Sequence, residues 1–235
     1  MIAYNELKYD AKEGFYDALP MMIGFIPIAM TFGVLAKNAG MDMFNTVLFS
    51  ILVFAGASQF IALNLLMAGC SAGEIIITTL LVNFRHFLMS ASLSNRLDKS
   101  LKKLSPIIAF GVTDESFSIM SFKEGKLNKE YIITLEYLAY FAWVVGTFLG
   151  FLLGGILPVS LTNAMGISLY AMFIAILVPE VKKSNIPLVL ALLSGLSNFI
   201  FKSIVGLQSG WSIVLSIILV SMLGVYMFEG RTKNE

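Results

Sequence analysis

The sequence predicts an all-α fold, a polytopic integral membrane helical bundle of about seven transmembrane helices plus a re-entrant segment. Composition is the first ground. The 235 residues are 57% hydrophobic and 13% charged, with a mean hydropathy of +0.84, beyond the range of ordinary soluble domains. The second ground is span length: seven stretches approach the roughly 20 apolar residues that cross a bilayer. The third is the placement of Lys and Arg, which gather in a few short connections.

Taken in order, the first span is Asp17–Ala36, where Pro20, Gly24, Pro27 and Gly33 make an easily kinked helix. The preceding Met1–Phe15 has no apolar core and no cleavage pattern, so a retained N-terminus is expected and not a signal peptide. Phe44–Met67 is read as one span carrying FAGASQF, whose small residues let another backbone or a ligand approach closely. Gly73–Ser94 is the third. An eighth candidate, Pro106–Phe122, is short, contains Gly111 and holds Asp114 and Glu115 at its middle, so it is read as re-entrant. Ile132–Ile156 follows, with Glu136 near its start, where snorkelling to the interface would explain a charge. Ala164–Pro179, Ile186–Gly206 and Trp211–Phe228 complete the set.

Basic connections stay cytoplasmic. Arg96, Lys99, Lys102 and Lys103 fill one, Lys123, Lys126 and Lys129 a second, Lys182 and Lys183 a third, and Arg231 and Lys233 the tail. Alternation then places the N-terminus outside, against the mild contrary indication of Lys8 and Lys12. The chain reads as a single transmembrane domain over 1–235, with a candidate inverted three-helix repeat of halves 15–104 and 130–209 and a last span at 211–228. Asn83-Phe84 and Asn198-Phe199 mark the match, each followed by a cation, Arg85 or Lys202. Inverted repeats with polar groups at mid-depth recur in transporters.

The polar residues within spans carry the chemistry. In NFRHFLMS an arginine and the single histidine lie at membrane depth, where charge persists when a partner or an aqueous cavity compensates it. Helical spacing puts Thr79, Asn83, His86 and Ser90 on one stripe, with Thr78, Arg85 and Ser92 beside it and Ile77, Leu81, Phe84 and Leu88 opposite. An interhelical hydrogen-bond cluster and a binding site both fit this face. In GVTDESF, Gly111 can break a helix and Thr113 or Asp114 can cap a new one, leaving amides and two carboxylates for an ion or a zwitterion. Ser194, Asn198 and Lys202 form a second polar stripe.

Several classes are excluded or disfavoured. With a formal net charge of +1 and no basic tract, nucleic acid is not a partner. One cysteine and one histidine supply neither a disulfide nor a metal-ligand set, so no metal or cofactor is expected. No nucleophile-base arrangement points to an enzyme.

The ordered set ALPMMIGFIPIAMTFGVLA, FAGASQF, NFRHFLMS and GVTDESF resembles the AzlC family, most strongly from Phe15 to Phe122. The resemblance implies a multi-pass protein of the bacterial inner membrane. It further implies a secondary transporter that exports leucine, isoleucine, valine and often methionine with a small hydrophobic AzlD-like membrane subunit. A zwitterion with an aliphatic side chain needs a cation or helix N-terminus, an ammonium acceptor and an apolar wall. The expected substrate-binding residues are Arg85, Asn83, Asp114, Glu115, Gly56, Ser58 and Gln59, with Arg85 or the amides near Gly56 to Ser58 for the carboxylate, Asp114 or Glu115 for the ammonium, and Phe54, Phe60 and Phe87 as the wall. His86 is the expected proton-coupling residue, and Asn198 with Lys202 a second polar site. The alternatives are a channel for small zwitterions and a non-transporting membrane assembly subunit.

Overall fold

This computed structural model describes residues 2–97, 99–123, 127–154, 156, 167, 171, 174, 177–179, 181–182, 184–207 and 209–228. Among them are nine α-helices: α1 (Ile2–Asn38), α2 (Met43–Val53), α3 (Gly56–Met67), α4 (Ala72–Ser94), α5 (Ser105–Gly111), α6 (Asp114–Phe122), α7 (Lys129–Leu153), α8 (Ile186–Phe199) and α9 (Ser209–Phe228). A 3₁₀ turn at Lys99–Leu104 leads into α5, and a π-helical stretch at Ile200–Ile204 extends α8. Among the described residues, five helices are long and apolar enough to cross a membrane, within Asp10–Asn38, Ala72–Ser94, Lys129–Leu153, Ile186–Ile204 and Gly210–Met227. The expected span Ala164–Pro179 falls largely outside the described residues.

A second expected span lacks a single continuous helix. Phe44–Met67 is not one helix: it breaks at Phe54, which adopts the left-handed conformation with φ of 39°. A phenylalanine there is strained, because its Cβ crowds the backbone. The break then turns the chain. Gln59 Nε2 donates to Ser50 Oγ at 3.0 Å, whereas a continuous helix would hold these two residues roughly 13 Å apart at about 1.5 Å per residue. Asp42 starts α2, accepting from the Asn45 amide at 3.0 Å and its carboxamide at 2.6 Å. Those bonds hold its carboxyl below the usual carboxylate range.

The chain divides into two compact units, Met1–Gln59 with Asn83–Ser168 and Phe60–Val82 with Leu169–Glu235. In the first, α1 and α7 are the packing axis. Glycines let their backbones touch. A Cβ on Gly33 would lie 2.2 Å from the Thr147 carbonyl oxygen, and one on Gly150 would lie 2.1 Å from that of Met30. Gly146 and Gly150 of α7 and Gly154 at its C-cap repeat every four residues along one face, the small-residue spacing that permits such approach. Gly14 meets Tyr131 and Gly33 meets Thr147, so the two helices run parallel.

This parallel course bears on two expectations. Helices exchanged by a two-fold axis in the membrane plane run antiparallel, so α1 and α7, the first spans of the expected halves 15–104 and 130–209, are not related in that way. Second, the start of α1 lies beside the basic connection. Glu13 pairs with Lys123 at 2.5 Å, Asn128 Nδ2 donates to Asp10 at 2.7 Å, and Tyr131 OH donates to Asp17 at 2.7 Å. If Lys123–Lys129 is cytoplasmic, the N-terminus is cytoplasmic too, and not outside.

Pro106–Phe122 is broken as its sequence predicts, into α5 and α6. Val112 and Thr113 are extended, and Thr113 with Ser116 forms a capping box for α6. Arg96, just past α4, closes the other end of α6 by donating to the carbonyls of Met120 at 2.5 Å, Ser121 at 2.8 Å and Lys123. Carbonyls at a helix end lack intrahelical partners, and a guanidinium supplies several donors at once.

In the second unit, Glu74 near the start of α4 is buried and accepts from the Ser71 amide and hydroxyl, both at 2.9 Å. Gly210 lets α9 pack against this carboxylate side chain, and Gly224 faces Leu190 of α8. The exposed Lys202 lies within the π-helical stretch, while Asn198 keeps a buried carboxamide oxygen without a partner.

Candidate functional site

Two helix breaks and the middle of α4 bring together most of the residues singled out in the sequence. At the first break, α3 begins with Gly56, Ala57 and Ser58, whose amides precede the first intrahelical acceptors. Ser58 is 1% exposed, donates to the Ala55 carbonyl at 2.9 Å and accepts from Asn83 Nδ2 at 3.1 Å. At the second break, Asp114 opens α6 and pairs with Arg85 Nη1 at 2.8 Å. Asn83 and Arg85 therefore fasten the same turn of α4 to the N-terminal ends of two different broken helices.

These fastenings leave chemistry unused. Asn83 Oδ1 and Arg85 Nε are buried without a hydrogen-bond partner, a condition that native structures avoid unless a ligand, an ion or water completes it. One is an acceptor and the other a donor. Arg85 and Asp114 retain 32% and 23% side-chain exposure, so the pair is reachable and is not sealed in a core. Glu115 follows Asp114 at the start of the same helix. His86 lies half-buried on α4 next to Arg85 and forms no hydrogen bond among the described residues.

Gln59 plays a different part from the one its sequence context predicts. It is fully buried: its Oε1 accepts from Trp143 Nε1 at 2.9 Å and its Nε2 donates to Ser50, which in turn bonds Thr147 at 2.8 Å. Its carboxamide is engaged by the protein at both ends, so it holds the break in place. Gly56 belongs to the same arrangement, since a Cβ there would lie 2.5 Å from the Trp143 ring. Trp143→Phe removes the indole N–H and strands Gln59 Oε1. A loss of about 1–3 kcal/mol is expected, read as lowered thermal stability of the detergent-solubilised protein. An unchanged melting curve would remove this link from the account.

The apolar wall is also rearranged. Phe54 is 3% exposed and contacts Tyr140 and Phe110, with ring centroids 5.2 and 6.2 Å away. Phe60 is buried as well, but Phe87 is 65% exposed and stacks on Phe84 on the outer side of α4. The aromatic cluster is thus the buried Phe54 with the half-buried Tyr140 and the exposed Phe110. Phe110 immediately precedes Gly111, so the C-terminal ends of α2 and α5 converge on the middle of α7.

Glu136 was the residue that sequence reasoning undervalued. Its place in α7 suggested a charge at the interface, yet it is 4% exposed and packs on Gly111. The available signal was its partner surface, a glycine at the break of GVTDESF, which no single-helix pattern displays.

A family model described as AzlC protein matches residues 20–157. An uncharacterized membrane protein of Archaeoglobus fulgidus is 34% identical over 74% of this chain and 78% of its own length. Inner membrane protein YgaZ of Escherichia coli is 33% identical, covering 78% of each chain. Branched-chain amino acid transport protein AzlC of Bacillus subtilis is 26% identical over 74% of this chain and 69% of its own length. No solved structure matches the chain.

Proposed function

Because the chain belongs to the AzlC family of membrane proteins, we propose that it is a secondary transporter exporting branched-chain amino acids through the site between the two helix breaks. The Bacillus relative carries branched-chain amino acid transport in its name. The observation that carries the reading is the unused donor and acceptor beside the Arg85–Asp114 pair. A substrate carboxylate would take Arg85, with the α3 amides adding the positive end of a helix dipole. The ammonium would take Asn83 Oδ1 and Asp114, with Glu115 adjacent. The aliphatic side chain would lie against Phe54 and its aromatic neighbours. Gly56, Ser58 and Gln59 keep the first break in shape, and Asn198 with Lys202 would form a separate polar site.

Discontinuous helices whose N-termini face a substrate are a transporter device. We assign both broken pairs, α2–α3 and α5–α6, as re-entrant hairpins. Gln59 returning to Ser50 supports the first, and Arg96 joining the end of α4 to the end of α6 supports the second. The N-terminus and the connection after α4 are then both cytoplasmic. In a Cys70→Ala background, cysteines at positions 5 and 100 should react with a membrane-impermeant reagent from the same side. Labelling from opposite sides would return the N-terminus to the outside.

Transport itself is tested by counterflow of labelled leucine in proteoliposomes holding this chain with and without a small hydrophobic membrane subunit, the partner the proposal calls for. Accumulation competed by valine or methionine is expected. Flux without counterflow would identify a channel, and no flux despite stable association with the subunit would identify an assembly component.

A further inference from the structure

We propose that Glu136 is the proton-binding group that couples substrate movement to a proton gradient, a role the sequence assigned to His86; this deepens the transporter reading and rests on it. Three observations place the group. The side chain is 4% exposed, one carboxyl oxygen is buried with no hydrogen-bond partner, and no ion pair joins it among the described residues. A carboxylate taken from water without compensation is costly, so a bound proton is what makes this placement tolerable.

The surroundings offer little else to neutralise it. Neither α2 nor α5 contains a titratable residue. On α1, Glu13 is held by Lys123 and Asp17 by Tyr131; Lys12 sits over the Tyr16 ring, and Lys37 lies at the far end, over the Phe151 ring. On α6 stand Asp114, already paired with Arg85 of α4, and Glu115. On α7 itself, Tyr131 faces Asp17, Tyr137 is exposed, and Tyr140 donates to the Ile51 carbonyl at 3.0 Å. The cation at this break, Arg85, pairs with Asp114 and not with Glu136.

The carboxyl also sits where movement would be felt. A Cβ on Gly111 would lie 2.5 Å from Glu136 Oε2. Gly111 is the last residue of α5, and two extended residues separate it from Asp114. Glu136 therefore touches one side of the break while the Arg85–Asp114 pair grips the other. Withdrawal of Gly111 would admit water to the carboxyl and let its proton leave to that water. Return of Gly111 would require a proton to be taken back onto the same oxygen, with no other bond formed or broken.

The test joins infrared spectroscopy to transport in the same lipid preparation. Wild-type protein at neutral pH should show the carbonyl stretch of a protonated carboxyl group, and Glu136→Gln should lack that component. Gly111→Ala, which presses on the carboxyl, should shift it, and this keeps the assignment testable if Glu136→Gln fails to fold. In proteoliposomes, the ratio of labelled-leucine flux with and without an imposed pH gradient should exceed one for wild type and His86→Ala, and fall to one for Glu136→Gln. No Glu136-dependent band in the wild type, or a gradient response that survives Glu136→Gln, overturns the proposal. A Glu136-dependent band with no leucine flux in the wild type overturns the transporter reading instead.

Discussion

Arg85→Ala is expected to reduce leucine counterflow by about tenfold to 150-fold, the equivalent of the roughly 1.5–3 kcal/mol that a charge-assisted hydrogen bond contributes. Two effects act together. The substitution removes the donor proposed for the substrate carboxylate, and it leaves Asp114 at the start of α6 without its partner at 2.8 Å. Arg85→Lys separates them, because an ammonium can still reach Asp114 but lacks the planar fork that serves two acceptors at once. An intermediate flux is expected for Arg85→Lys and near-background flux for Arg85→Ala, at matched membrane abundance. If both variants transport like wild type, α4 carries a packing cluster and the binding site lies elsewhere.

The other large effect is structural. Gly150→Leu should prevent accumulation of folded protein, since its Cβ would enter within 2.1 Å of the Met30 carbonyl oxygen and 2.5 Å of the Met30 Cα. Overpacking usually costs about 1–3 kcal/mol when side chains can give way. Here the obstruction is backbone on a helix 37 residues long, so the whole α1–α7 interface has to open. Fluorescence-detected size-exclusion profiles should show loss of the monodisperse peak. Gly24→Ala provides the control, because nothing lies within 4 Å of its Cβ position. A monodisperse Gly150→Leu protein would mean that the two helices do not pack at this distance in the membrane.

Which features were readable in advance follows from their physical range. The polar face of α4 and the break in GVTDESF are local properties, set by helical spacing and by glycine followed by a capping threonine, and both appear where the sequence puts them. The break at Phe54 was hidden because a phenylalanine in left-handed geometry carries no local signature. It persists because Trp143 and Thr147, distant in sequence, hold the turn through Gln59 and Ser50. The parallel course of α1 and α7 was hidden from alternation for a related reason. Alternation counts every apolar stretch of sufficient length as one crossing, and Phe44–Met67 has the length without the continuity. Glu136 was discounted on its distance from a span end, a measure that cannot register that Gly111 covers it.

The close parallel contact between α1 and α7 also constrains how the protein is made. The groove on α1 that receives Gly146 and Gly150 leaves the ribosome long before the helix that fills it. At about 5–20 residues per second, synthesis delays the meeting by roughly 6–25 seconds. Through that interval α1 waits in the bilayer with the surface that α7 will cover exposed, so the nascent chain depends on lipid or an insertion factor to shelter that surface until α7 emerges.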